Sequence, residues 1–366
     1  MEAAIPKLNS LINVDQLREG ALEIIRIIRP NWPENKLKYK IFTDGITNRL
    51  IGVYIDNIQE LILIRVYGEN TDLFIDRNLE FRNMRTMYKA GLSAPIYCTF
   101  VNGICYGFTP GKVLDQTMIR DLNISALIAE NMARMHTLKP FIHKSNCKDN
   151  YVQESKSCLF SGLRKYLVLT TDVFSPKISN IQRSKHIYNP EKIGFEVAFL
   201  ENELVKLKSP IVFCHNDLLL KNIIYDETKN KVTFIDFEYS DYNYQAFDIA
   251  NHFCEFCGVD EFDPSLYPNK EFQTTWLKTY LSKWHSLNGI NLTLSELERQ
   301  VNQMLETIDK FSLAAHLYWG LWALVQAINS TIDFDFLSFA LKRLEEYYKR
   351  KNELFIVQNR NHNRGY

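Results

Sequence analysis

The residues best equipped for chemistry lie between Ile211 and Glu238, in the stretch IVFCHNDLLLKNIIYDETKNKVTFIDFE. Two short β-rich runs, Ile211–Cys214 and Val232–Ile235, each stop at carboxylates and amides: His215-Asn216-Asp217 with Asn222 five residues on, then Asp236-Phe237-Glu238. An apolar run that ends abruptly in several acids makes a poor core segment, because each buried, unpaired carboxylate costs several kcal/mol. Something must hold that charge. Two strand ends with solvated acids are the plain alternative, but both clusters occur in order, each behind a β run.

That order resembles protein-kinase-like sites, where one Asp serves the attacking hydroxyl and an Asn and a second Asp hold Mg²⁺. The chain has H-N-D-x₄-N where protein kinases have H-R-D-x₄-N, and D-F-E where they have D-F-G. Both differences resemble small-molecule kinases on the same scaffold, the choline/ethanolamine kinases and aminoglycoside phosphotransferases, which have no Gly-hinged activation loop.

Composition narrows the classes further. The 366 residues suit one large domain or two lobes, and 46% hydrophobic residues supply ample core. Lys+Arg and Asp+Glu are both 43, so no net field draws nucleic acid or an anionic membrane. The start MEAAIPKLNSLINVDQL lacks the basic and apolar regions of a signal peptide, and no stretch approaches about 18 uninterrupted apolar residues, so a soluble cytoplasmic chain without membrane insertion is expected. Seven scattered cysteines favour reduced thiols. The pair Cys254 and Cys257 matches C-x-x-C, but no second pair at ligand spacing exists, so both read as small apolar residues on a helix.

The positioning elements follow from periodicity. Leu17, Ala21, Ile24, Ile25 and Ile28 predict an amphipathic helix stopped by Pro30 and Pro33. Strands are expected over Tyr39–Phe42, Leu50–Ile55, Leu61–Tyr67, Ile96–Phe100 and Ile104–Phe108, with an Asn-Gly turn before the last. If that turn has two residues, Cys98 and Cys105 are diagonal neighbours, too far apart for a bridge. A helix from about Asn78 to Ala90, ended by Gly91, sits between the third and fourth strands and carries Glu80, the candidate partner of Arg65 on the third. Thr109-Pro110-Gly111 marks a boundary. Beyond it the pattern is mostly helical, including Asn123–His136, Cys158–Leu169, Pro190–Leu207, Gln245–Cys257, Phe272–Leu287, Leu294–Ile308, Phe311–Ala327 and Phe336–Tyr348. On the Gln245–Cys257 helix, Asp248, Asn251, His252 and Glu255 share one face, which fits either a surface helix or a functional wall. A carboxylate at 248 could bind the backbone of the Asp217 loop. The expected fold is α+β: residues 1–35 a helical extension, 36–110 a small lobe with an antiparallel sheet and one helix, 111–366 a large, mostly helical lobe.

The longer pieces CHNDLLLKNIIYDE, FIDFEYSDYNYQAFDIANHFCEF, Trp319-Gly320-Leu321-Trp322 and FTDGITNRLIGVYI resemble the choline/ethanolamine kinase family, specifically its ethanolamine branch, from about Lys36 to Tyr348. Leu218-Leu219-Leu220-Lys221 is similar to the ethanolamine version of the loop, where choline kinases typically carry Cys-Gln-Glu-Gly. The resemblance implies a protein-kinase-like two-lobed fold that phosphorylates ethanolamine with ATP, the first step of phosphatidylethanolamine synthesis, with choline or dual specificity as the alternative. It further implies Asp217 as the hydroxyl's proton acceptor, Mg²⁺ on Asn222 and Asp236 with Glu238 joining, and Arg65, paired to Glu80, facing the ATP phosphates together with the loop of Asp44, Gly45, Thr47 and Asn48. Tyr239, Glu255, Trp319 and Trp322 would surround the amine. Phe336 and Phe339 stand where choline kinases tend to present Tyr, which weakens a full quaternary-ammonium cage. Oligomeric state, a homodimer included, is left open.

Overall fold

Alternation along one strand sets the architecture around Arg65. In β3 (Ile62–Tyr67), Ile62, Ile64 and Val66 point to one face and join a core with Ala21, Ile24 and Ile25 of α1 (Leu17–Ile28), so Arg65 faces the other way. The computed structural model describes residues 4–42, 48–68, 76–140, 156–171, 189–330 and 332–357. The chain forms two units, Met1–Val113 with Ile223–Tyr239, and Leu114–Asn222 with Ser240–Tyr366.

The first unit is an antiparallel sheet in the order β1-β2-β3-β5-β4, with β1 Lys38–Phe42, β2 Asn48–Tyr54, β4 Ile96–Phe100 and β5 Gly103–Gly107. Between β3 and β4 runs α2 (Arg77–Lys89), whose Asp76 cap accepts the N–H groups of Asn78 and Leu79. The N-terminal segment is tied on by Asn102: its Oδ1 accepts the Ile12 N–H at 3.0 Å and its Nδ2 donates to the Ile12 carbonyl at 2.8 Å. Three short strands, β6 (Lys112–Val113), β8 (Ile223–Asp226) and β9 (Lys231–Phe234), complete this unit in the order β6-β8-β9.

The β4–β5 hairpin corrects one expectation. Its two-residue turn is Val101-Asn102, so Cys98 and Cys105 are direct partners rather than diagonal ones, and both thiols are free. Gly103 explains the shift. A Cβ there would lie 2.2 Å from both the Arg65 carbonyl oxygen and the Phe100 ring, so the glycine belongs to the paired strand and the turn closes one residue earlier.

The second unit is helical around a two-stranded ladder of β7 (Ile211–Cys214) and β10 (Asp241–Tyr244). Among the described residues its helices are α3 (Leu122–His136), α4 (Leu159–Thr171), α5 (Pro190–Val205), α6 (Gln245–Cys254), α7 (Lys270–Leu287), α8 (Leu294–Asn329) and α9 (Phe336–Lys351). Where two helices were expected over Leu294–Ile308 and Phe311–Ala327, α8 is continuous over 36 residues. Only Asp309-Lys310 separates those runs, with no Gly or Pro to break the ladder. By length and apolar content α8 could cross a membrane, yet 78% of the relevant window is buried inside the protein.

Two glycines test this account differently. Gly103→Ala forces a side chain against backbone, whereas Gly91→Ala meets nothing within 4 Å but must hold φ at 71°. Urea unfolding should show a loss of about 3 kcal/mol for the first and about 1 kcal/mol for the second. Equal losses would place the Gly103 contact in error.

Candidate active site

In the first unit, two guanidinium groups meet three carboxylates. Arg65 is buried and ion-paired to Glu80 of α2, and its Nη1 lies 3.1 Å from Asp236 Oδ1. Arg77, one helical turn before Glu80, donates to Glu80 Oε2 at 2.9 Å and to Glu238 Oε2 at 3.4 Å, while its guanidinium lies 4.1 Å from the centre of the Tyr67 ring. Burial alone would lower the pKa of Arg65, but Tyr106, Asp236 and Glu238 outweigh it and leave it raised. Burial, aided by Asp236, pushes the Glu238 carboxyl up to about 7 even with both arginines pulling against it. Asp236 takes a left-handed backbone, φ 64°, which a non-glycine residue adopts only when its surroundings impose it.

Glu80, Asp236 and Glu238 each bring an oxygen to within 4.8 Å of the others. Hard carboxylate oxygens in excess over their arginines, one of them raised by burial and by its acidic neighbour, fit a Mg²⁺ ion. Tyr239 closes this unit, half-buried. Asp44, Gly45 and Thr47 lie outside the described residues, and of Asn48 only the backbone, at the start of β2, is described.

In the second unit, the loop after β7 is held by side chains of α6. Asp248, fully buried, accepts the backbone N–H of His215 at 2.9 Å and of Asn216 at 2.7 Å, and takes a third hydrogen bond from His136 Nε2 at 3.0 Å. Behind it, Gln245 Nε2 donates to the Tyr280 hydroxyl at 2.9 Å, which in turn lies 2.6 Å from His136 Nδ1. Burial would raise the Asp248 pKa, but His136 and the His215 backbone overcome that and hold it low. Asn243 Nδ2 donates to Asn216 Oδ1 at 2.8 Å, and His252 Nδ1 donates to the Leu218 carbonyl at 3.0 Å. Thus fixed, the loop presents Asp217, half-buried, whose carbonyl and Oδ2 accept from Asn222 Nδ2 at 2.8 and 3.2 Å.

Trp319 and Trp322 lie one turn apart on α8 with ring centres 5.3 Å apart, edge to face. From Trp322 the aromatic contacts continue to Phe336 at 5.8 Å, Phe334 and Phe339. Phe339 and Phe262 flank the buried Arg343 guanidinium at 5.6 and 5.5 Å, and its Nη1 is 3.0 Å from Glu255 Oε1. Glu255 is therefore a buried acid that already has one protein cation beside it. Burial raises its carboxyl, and Arg343 opposes the shift.

The structure brings together Arg65, Glu80, Asp236 and Glu238, and separately Asp217 with Asn222 and Trp319 with Trp322. Sequence reading missed Arg77, Arg343 and His136. Arg77 was findable, since Asp76 is a helix cap that starts α2 one residue earlier and places Arg77 at i, i+3 to Glu80. Arg343 carries a subtler sign: it sits four residues from both Phe339 and Tyr347, on the apolar stripe of its helix.

The fold of each unit, with an Arg–Glu pair on the sheet unit and the His-Asn-Asp loop on the helical one, defines a protein-kinase-like small-molecule phosphotransferase. More closely, the chain belongs to the choline/ethanolamine kinase family, whose profile matches residues 39–348. Human ethanolamine kinase 1 is 40% identical over 358 residues, 97% of this chain and 77% of that one. The structure of an ethanolamine kinase from Plasmodium vivax aligns with a TM-score of 0.76 at 30% identity, covering 92% of this chain and 89% of the other. A choline kinase structure from Cryptosporidium parvum aligns at 0.75 and 27%, covering 93% and 97%.

The loop's anchoring has an acid signature. Burial, partly offset by the Leu218 carbonyl, lowers the His252 pKa from 6.5 to about 4. Between those values only the unfolded chain takes the proton, so this contribution is complete above pH 6.5 and is lost as pH falls toward 4. His316, held below its ordinary value by burial and by Arg343 and Arg350, adds in the same direction. Urea titrations should show stability falling by up to about 1.4 kcal/mol per pH unit per histidine in that window. His252→Asn, which keeps an N–H donor for Leu218, should remove one proton's worth of the slope. An unchanged slope would reject the assignment.

Proposed function

We propose that this protein transfers the γ-phosphoryl group of ATP to the hydroxyl of ethanolamine, yielding phosphoethanolamine and ADP. The observation that carries the reading is Asp217, an acid on a loop fixed by buried hydrogen bonds to Asp248, Asn251 and His252, in a chain 40% identical to a named ethanolamine kinase. In this reading Asp217 orients the hydroxyl and accepts its proton as the O–P bond forms, and Asn222 holds the Asp217 side chain in place. Arg65, kept charged at any working pH, faces the nucleotide phosphates, with Glu80 fixing its direction. Asp236 and Glu238, with Glu80 beside them, would hold magnesium, which when bound would neutralise charge on the phosphates. Transfer is direct, with no phosphoenzyme. The product belongs to phospholipid headgroup synthesis, and the setting is the cytoplasm.

On the amine side, Trp319 and Trp322 offer ring faces to an ammonium ion, and Glu255, whose Oε1 takes Arg343, offers its second oxygen to an N–H. Choline has no N–H to reward that acceptor. The second reading, choline as an additional substrate, draws on the aromatic cluster alone, and each methyl group shifts affinity by only about 1–3 kcal/mol. Side-by-side kcat/KM values on ethanolamine and choline decide between them.

Two substitutions test the roles. Asp217→Ala should lower turnover by about 10²–10⁴-fold while ATP binding is kept. Asp236→Ala should instead abolish the Mg²⁺ dependence of ATP binding in calorimetric titrations. Near-normal turnover in the first, or unchanged titrations in the second, would remove that residue from its role.

A further inference from the structure

Asn251 on α6 joins two parts of the second unit, the ring of Trp319 on α8 and the backbone of the loop that carries Asp217. Its Oδ1 accepts the Trp319 indole N–H at 2.8 Å, and its Nδ2 donates to the Asn216 carbonyl at 3.0 Å. The amide has one possible orientation, because an indole N–H can only donate and a carbonyl can only accept. Asn251 is fully buried, Asn216 is 4% exposed and Trp319 6%, so water does not compete for these bonds. Asn216 precedes Asp217 directly and holds a left-handed φ of 66°. Displacing its carbonyl rotates the peptide from which the Asp217 side chain departs.

We propose that Asn251 is a positioning residue that fixes the distance between the amine subsite at Trp319 and the proton acceptor Asp217, and so selects amino alcohols by chain length. The proposal rests on the ethanolamine reading above. Ethanolamine places only two carbons between nitrogen and oxygen, so a ring that holds the ammonium and an acid that meets the hydroxyl must keep a set separation. A misplacement of about 1 Å costs on the order of 10²-fold in rate. A single amide that bonds the ring at one end and the loop at the other supplies that separation without a flexible intermediary.

The test uses the full-length protein with ethanolamine and 3-amino-1-propanol as acceptors. Asn251→Asp keeps the acceptor for Trp319 but turns an oxygen toward the Asn216 carbonyl. Trp319→Phe keeps an aromatic face and removes the indole donor. Each should lower kcat for ethanolamine about 10–100-fold with the KM for ATP unchanged. Each should also shrink the preference for ethanolamine over 3-amino-1-propanol, and the double variant should lose no more than the worse single one. Multiplying losses, or an unchanged chain-length preference, would overturn the proposal. If Asn251→Asp fails to fold, as judged by thermal unfolding, Trp319→Phe decides alone: a rise in KM for ethanolamine with kcat and preference intact overturns it, and a fall in both supports it. Absence of ADP release by the unaltered protein on adding ethanolamine would instead reject the underlying reading.

Discussion

Everything the helical unit does at its loop depends on one buried carboxylate. Asp248 has no access to water, so its charge must be met from within, and three donors meet it: two consecutive backbone N–H groups of the loop and the His136 ring. The requirement works in both directions. The loop cannot leave without stranding the charge, and the charge cannot stay without the loop. Tyr280 and Gln245 extend the constraint by fixing the imidazole, which ties α3 and α7 to the same centre. A left-handed Asn216 is tolerable under these conditions because its N–H, carbonyl and side-chain oxygen are all taken by α6 and β10.

The sheet unit uses a different balance. Two arginines face three acids, and burial makes the surplus felt as a raised Glu238 carboxyl. Such an arrangement is poorly suited to stability on its own, since a fully matched set would leave no acid protonating near pH 7. It is well suited to a cation that comes and goes with a polyphosphate. The strained backbone at Asp236 belongs to the same balance, a local cost borne where its carboxylate meets Arg65 at 3.1 Å.

The sequence announced most elements because their signals were local. The period of α1, the apolar run of β3 and the glycine that ends α2 depend on neighbours a few residues away, and all were legible, whereas the Asp76 cap of α2 was passed over. The His-Asn-Asp and Asp-Phe-Glu clusters were legible for the same reason. What could not be read depends on distant pairing. The face of Asp248, Asn251, His252 and Glu255 fits a wet surface as well as a buried wall until the loop, α8 and α9 are laid against it, and only then does each residue acquire a partner in the loop backbone, Trp319 or Arg343. The hairpin at Cys98 and Cys105 slipped by one residue because Gly103 was taken as a turn residue, when its true constraint is the Arg65 carbonyl on a strand 38 positions earlier. The two expected helices in α8 merged because a polar Asp309-Lys310 pair interrupts a pattern without interrupting a backbone.

Glu255 shows how far placement changes a reading. As a free acid beside tryptophans it would be a sufficient counter-charge for an ammonium ion. With Arg343 held 3.0 Å away, its charge is largely spent within the protein. The rings around that arginine then become the more informative feature. Phe262 and Phe339 already flank a cation at 5.5 and 5.6 Å, at distances where ring quadrupoles contribute. The same series of rings continues through Phe334 and Phe336 to Trp322 and Trp319, where the proposed function places the substrate amine. In the proposed reading, affinity for the amine comes chiefly from ring faces, and the second oxygen of Glu255 acts on direction, rewarding a donor N–H over a methyl group. That division of labour separates how tightly an amine is held from which amine is preferred.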